Sequence, residues 1–341
     1  LFDKGRSAKV ATLGMKGEHY ELGGDAGLCF QPLREIDQPL ELVWSEQWVL
    51  DLFRHESVEI TPEVKETVWS ALTSLASAPS EERTLTGLSA LLQSAALRQA
   101  LQPYTLEGPH GSVLDADTDS LSDVDWQCFE MEELMHSKAL ALPVLTYLFH
   151  RLEARFEGRP TLLILDEAWV FLDDPVFSER IREWLKVLRK KNVSVIFATQ
   201  SLADIANSSI APALIESCPS RIFLPNARAT EPQQLEAYRH FGLNDTQVQL
   251  IGHATPKRDY YFQSRSGNRL FDLNLGPIAL SICGASSVTD LQAADRILDT
   301  VLKRGEPSDF GGLWLRAQGL EWAADHLAAH THISTSQTGA T

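Results

Sequence analysis

Asp166 and Glu167 stand together directly after four aliphatic residues, Leu162-Leu163-Ile164-Leu165. An apolar run of this kind reads as a strand buried on both faces. Two acids at its end sit where open α/β sheets bind ligands, outside the carboxyl ends of the strands. The first can hold Mg²⁺, directly or through water, because that ion takes few carboxylates alongside phosphates. The second can act as general base on an attacking water. The competing reading is that the pair merely begins a loop or caps a helix. A second polar tip, Ala198-Thr199-Gln200-Ser201, follows the apolar run Ser194–Phe197. Gln200 there can hydrogen-bond the attacking water or a terminal phosphate and relay its presence to the following loop. Alone, the cluster would read as an ordinary helix start; beside Asp166 and Glu167 it reads as part of the same site.

The segment between the two tips is a well-specified helix. Asp173 or Asp174 caps it and Pro175 takes its first position. Phe177, Ile181, Trp184, Leu185 and Leu188 then form one apolar stripe. The other face carries Arg180, Arg182, Lys186, Arg189, Lys190 and Lys191. Such a face is either simply solvated, or one arginine reaches a nucleotide in a neighbouring subunit as a planar, permanently charged donor. Arg189, just before the next strand, is the first choice for that role. One expected part is missing from the sequence: no Gly-x4-Gly-Lys-Ser/Thr loop occurs. Gly14–His19 has two glycines but no Lys-Ser/Thr after the second, and Gly252–Lys257 lacks the second glycine. The backbone cradle that holds phosphates is therefore not encoded in these residues.

Positioning these tips requires an α/β framework. Apolar runs at Leu1–Asp3, Gly27–Phe30, Trp126–Glu130, Thr161–Asp166, Ser194–Ala198 and Ser220–Leu224 alternate with amphipathic stretches, which predicts a mostly parallel sheet. Residues 46–118 break the rhythm with helical patterns at Trp48–His55, Thr61–Ser77 and Leu85–Leu101. They read as an all-helical insertion into a core of residues 1–45 and 119–285. Further on, the pattern predicts helices at Glu231–Phe241 and Asp245–Gly252. A hairpin of Asp259–Gln263 and Arg269–Leu273 follows, with Ile278–Cys283 as a candidate third strand. Helices Ser287–Lys303 and Phe310–His330 fill a C-terminal segment of 286–330. The Ser/Thr-rich 331–341 is expected to be disordered.

Composition sets outer limits. The chain has 341 residues and a formal net charge of −16, whereas nucleic-acid-binding domains usually carry a basic excess. Residues 80–135 hold eleven acidic residues and two arginines, hence a net of −9, and suit a protein surface better than a phosphate backbone. The four cysteines are scattered singly and read as buried free thiols. No apolar run reaches the length of a membrane span. The opening Leu1-Phe2-Asp3 reads as the end of a strand, so the chain is expected to start inside a domain.

Several blocks together resemble the TrbE/CagE family of ATPases in conjugative and type IV secretion systems, RecA-like relatives of the HerA–FtsK translocases. They are Phe2-Asp3-Lys4-Gly5-Arg6-Ser7, Gly17-Glu18-His19-Tyr20, Phe129-Glu130-Met131, Leu163–Trp169, Trp184–Lys190, Ala198–Ser201, Leu224-Pro225-Asn226 and Tyr260–Ser264. The resemblance implies a RecA-like P-loop ATPase core with an all-helical insertion and a C-terminal helical extension. It implies that Asp166 and Glu167 are the Walker B acids, with Asp166 on Mg²⁺ and Glu167 as base, and that Gln200 is the sensing glutamine. Arg189 fits the block before the sensing strand, with Arg228 and Arg265 as fallback nucleotide contacts. ATP and Mg²⁺ are the implied cofactors. A hexameric ring is implied, working with other secretion subunits at the cytoplasmic face of a bacterial inner membrane. In that family the phosphate-binding loop precedes the Asp-Lys-Gly-Arg-Ser block. Two rival readings stay open: a DNA-translocating motor of the same superfamily, and a non-catalytic assembly module docking through its acidic helical insertion.

Overall fold

A computed structural model describes residues 1–23, 28–167, 175–305 and 309–337. Its strands are β1 (Phe2–Asp3), β2 (Glu18–Glu21), β3 (Gln127–Glu130), β4 (Thr161–Leu165), β5 (Val193–Phe197), β6 (Arg221–Phe223), β7 (Asp259–Ser264) and β8 (Gly267–Asp272). Many helices separate them, so the chain is α/β. It divides into two compact units, one of residues Leu1–Lys16 with Phe156–Thr341 and one of Gly17–Arg155.

In the first unit β1, β4 and β5 pair in parallel. Phe2 lies opposite Leu165, and β4 runs beside β5 from the pair Thr161–Val193 to the pair Leu165–Phe197. The ladder continues past both strand ends, with Asp166 N donating to Phe2 O at 3.0 Å and Ala198 N to Leu165 O at 2.9 Å. Phe2, Leu163, Leu165 and Val193 are buried. The helix Pro175–Val187 and the turn Leu188–Lys191 present the predicted stripe, and Phe177, Ile181, Trp184 and Leu188 are all buried. The cap expected at Asp173 or Asp174 lies outside the described residues.

A second sheet in this unit has the order β6-β7-β8 and is antiparallel throughout. Phe223 and Tyr261 from this sheet form a core with Tyr238, Phe241, Val248 and Ile251 from the following helices. The predicted third strand at Ile278–Cys283 is instead the helix Pro277–Cys283. Pro277 at the first helical position explains this, since its fixed φ suits a helix start. β6 supplies the third strand. The helix Lys9–Gly14 joins the C-terminal helices: Val10 packs with Ala294, Phe310 and Trp314, and Lys9 pairs with Asp295 at 2.6 Å.

Two predicted helices prove to be four. Leu85–Leu101 divides into Leu85–Leu91 and Ala95–Leu101, because Ser94 caps the second through Leu97 N. Phe310–His330 divides into Phe310–Ala317 and Glu321–Gln337, with Gly319 between them at φ +71°. That left-handed residue lets Leu320 N return to Leu315 O at 2.9 Å, a helix-ending turn that glycine makes without strain. The helix Glu321–Gln337 also runs through residues 331–337, which composition predicts as disordered. Helix propagation from the start at Glu321 outweighs weak local propensity there.

The second unit contains the parallel pair β2–β3, in register from Glu18–Gln127 to Glu21–Glu130. Pattern reading passes over β2 because only Tyr20 of Glu18-His19-Tyr20-Glu21 is buried. Gly17 admits the pairing: a Cβ there would stand 2.5 Å from Trp126 O. The strand predicted at Gly27–Phe30 does not form at Leu28–Phe30. That stretch is tied instead to residues 113–120, with Phe30 N donating to Val113 O and Cys29 N to Ser120 Oγ. Every regular element of residues 46–118 is helical.

Candidate active site

The parallel register brings three strand ends to one edge of the first unit. β1 ends in Asp3, β4 is followed by Asp166 and Glu167, and β5 by Ala198-Thr199-Gln200. Asp3 is 1% exposed and is held by Ser7 Oγ at 2.6 Å and Ala8 N at 2.8 Å. Burial pushes the Asp166 carboxyl above its ordinary value. The charges of Asp3 and Glu167 add to the rise, and the Glu167 N–H donated to Asp166 Oδ1 at 3.0 Å works against it. Gln200 Nε2 donates to Glu167 Oε1. Glu167 itself has φ +50°, a left-handed conformation that costs a non-glycine residue about 1–2 kcal/mol. Backbone strain of this kind concentrates at functional sites.

Asp166, Glu167 and Gln200 are thus brought together, and Asp3 joins them. In the sequence Asp3 ends the strand Leu1–Asp3 and falls in the Phe2–Ser7 resemblance block, without a site role. Its signal was an acid closing a short apolar strand, the same signature that marked Asp166. Arg189 is placed elsewhere. It lies in the turn before the amino end of β5, where Asn192 O accepts from Thr161 N at the start of β4. Five strand residues, roughly 16 Å, separate that end from the acidic tip. Arg189 therefore cannot serve Asp166 of its own chain. Arg228 lies in the loop after β6 and is bound to Glu231 at 2.8 Å. Arg265 is exposed in the turn between β7 and β8.

The donors at the tip are carboxylate oxygens, the set that hard cations take. Three acids crowded beside one another, one of them pushed upward in pKa, are relieved by a divalent cation. The residues present therefore fit a hard divalent cation such as Mg²⁺.

An α/β chain with acids at the carboxyl edge of a parallel sheet defines a class, and the comparisons relate it to P-loop proteins. Residues 91–259 match the family described as the TraG P-loop domain. The fold resembles VirB4 of Thermoanaerobacter pseudethanolicus, with a TM-score of 0.61 over 81% of each chain at 19% identity. It also resembles the plasmid coupling protein TrwB, at 0.51 over 81% of this chain and 78% of that one.

The chain belongs to the TrbE/VirB4 family. It is 43% identical over 329 residues to a probable conjugal transfer protein TrbE of Sinorhizobium fredii, covering 95% of this chain and 49% of that protein. It is 42% identical over 337 residues to the conjugal transfer protein TrbE of Rhizobium radiobacter, covering 96% of this chain and 39% of that one. It thus spans half or less of these relatives. Among the described residues, no helix is long and apolar enough to cross a membrane.

Proposed function

We propose that this chain carries the metal- and water-handling half of a Mg²⁺-dependent ATPase that energises conjugal transfer. The observation that carries the reading is the convergence of Asp166, Glu167 and Gln200 on one sheet edge, next to buried Asp3. In this reading Asp166 is the Walker B aspartate, and bound Mg²⁺ would neutralise charge on the β- and γ-phosphates. Glu167 Oε accepts the proton of the attacking water. Gln200 Nε2 holds Glu167 before nucleotide arrives, and it can exchange that bond for one to water or a terminal phosphate. The phosphate cradle comes from polypeptide outside these residues. Arg189, remote from the acids of its own chain, acts in trans across a ring of subunits, for which a hexamer is the expected size. Relatives named for conjugal transfer and type IV secretion support partnership with other secretion subunits. In this reading the protein works peripheral to the bacterial inner membrane.

The test is ATP turnover by a protein in which this chain is completed with the missing loop-bearing segment. Mg²⁺-dependent hydrolysis is expected, and Glu167→Gln should lower kcat by about 10²–10⁴-fold, the usual worth of a general base. Turnover unaffected by that substitution would remove Glu167 from the chemistry.

A further inference from the structure

The antiparallel sheet ends in β8, which pairs among the described strands with β7 alone. All of Gly267–Asp272 is exposed except the half-buried Phe271. Leu273 N donates to Arg258 O at 3.2 Å, one step past the last ladder pair, Asp259–Asp272. Alternation in an antiparallel ladder then turns the peptide groups of Gly267, Arg269 and Phe271 toward β7 and those of Asn268, Leu270 and Asp272 outward. Edge strands are normally blunted by lysine, proline or a bulge. β8 has neither residue, and its register with β7 runs unbroken to the turn at Arg265-Ser266.

The side chains on this edge are open as well. Leu270 is 41% and Leu273 44% exposed. Arg269 is exposed and makes no ion pair among the described residues. Phe271, two residues on and therefore on the same face as Arg269, stacks on Tyr260 with ring centroids 5.7 Å apart.

We infer that β8 pairs antiparallel with β8 of a second copy of this chain, about a two-fold axis at Leu270. Self-complementarity of the edge argues for this occupant. An axis at Leu270 sets outward peptide groups against outward peptide groups along the whole strand. Asn268 then stands opposite Asp272 of the second copy, and Leu270 opposite Leu270. Asn268 Oδ1 accepts from Ser264 N, which leaves Nδ2 to donate across the join. The Asp272 carboxylate accepts from Arg258 Nε at 3.1 Å and has lone pairs to spare. On the other face Arg269 stands opposite Phe271, so each guanidinium meets the aromatic pair of the other copy as a cation over a ring. Leu273 stands opposite Gly267, which has no side chain to obstruct it. Shifting the axis loses these matches. At Asp272 it sets two carboxylates against each other, and at Asn268 it carries the pairing into the turn. At Arg269 or Phe271 it brings up peptide groups that β7 already engages. The contact is isologous, so it joins copies in pairs and does not close a ring. It makes no use of Asp166 or Glu167 and does not rest on the function proposed above.

Sedimentation equilibrium of the purified chain over a concentration series tests the pairing. The unsubstituted chain should pass from monomer to dimer with the modest affinity of a small interface. Leu270→Lys and Leu270→Glu each set like charges across the axis, and each should weaken dimerisation on the order of tenfold. Leu270 already faces solvent, so both variants should melt as the unsubstituted chain does. An equimolar mixture of the two sets Lys against Glu and should recover association to within a few-fold of the unsubstituted chain. Leu106→Lys, at a 66% exposed position in the other unit, is the control and should dimerise normally. A chain that stays monomeric at every concentration overturns the pairing. So does a dimer that either Leu270 variant forms as tightly as the control. A mixture that associates no better than its components overturns the axis at Leu270, and with it the proposal.

Discussion

Asp166 faces opposing demands, because the crowding that suits a cation is unfavourable to the empty fold. Its raised pKa means that the folded state holds the proton more tightly than the unfolded state. Stability therefore falls as pH rises from the ordinary carboxyl value of 3.8 through the raised one. Asp166→Asn keeps the acceptor for Glu167 N–H and removes the charge. At neutral pH without metal it should raise Tm on the order of 1–2 °C, a modest gain because the group is half-exposed. Calorimetry with and without Mg²⁺ checks this: the ion should stabilise the native sequence and leave the variant unmoved. Gln200 makes a separate prediction. Gln200→Ala frees the Glu167 carboxylate, and misplacing a base costs on the order of 10²-fold in kcat. In the completed protein, KM for ATP should change much less than kcat.

Single buried acids also decide how elements are held. Asp115 is 2% exposed, and its carboxylate accepts from Thr86 N at 3.0 Å, from Thr86 Oγ1 and from Leu106 N at 2.7 Å. It ties the start of the helix Leu85–Leu91 to the chain beyond residue 105. Asp115→Ala strands those donors and should cost about 2–4 kcal/mol in denaturant unfolding, with an unchanged m-value. A second tie, between the helices Pro39–His55 and Lys138–Ala154, is pH-dependent. His150 Nε2 meets Glu41 Oε2 at 2.8 Å, and its ring stacks on Trp44 at 3.9 Å. That bond from His150 holds the Glu41 carboxyl below the usual range. A carboxyl with a lowered folded pKa contributes its full stability above the ordinary value of 4.5 and loses it as pH drops through the depressed one. Glu41→Gln should therefore flatten the acid limb of the Tm-against-pH curve and leave its shape near pH 7 intact.

The whole chain folds as two units whose boundaries cut across its linear order, since Leu1–Lys16 belongs with the C-terminal half. The unit Gly17–Arg155 has its own buried residues, among them Phe30, Trp48, Phe53, Leu72, Tyr104, Phe129 and Tyr147. Expressed alone, it should give a helical spectrum and a cooperative melt; a broad, non-cooperative transition would show that it depends on the rest. The α/β class, most strands and the Asp166–Glu167–Gln200 constellation were legible in the sequence. Uninterrupted aliphatic runs leave few alternatives to a buried strand, and polar tips can only sit where such strands end. β2 was not legible, because three of its four residues are polar and only its pairing with β3 makes it a strand. Ile278–Cys283 was misread because a short apolar run has no period of its own, and Pro277 decided its form. Sequence thus determined which residues could do chemistry and which strands they follow. Tertiary structure alone decided that Asp3 joins them, that Glu167 adopts a strained backbone against Gln200, and that Arg189 lies at the opposite end of the strands. Those outcomes depend on strand register, which sets residues far apart in the chain side by side and which no local pattern encodes.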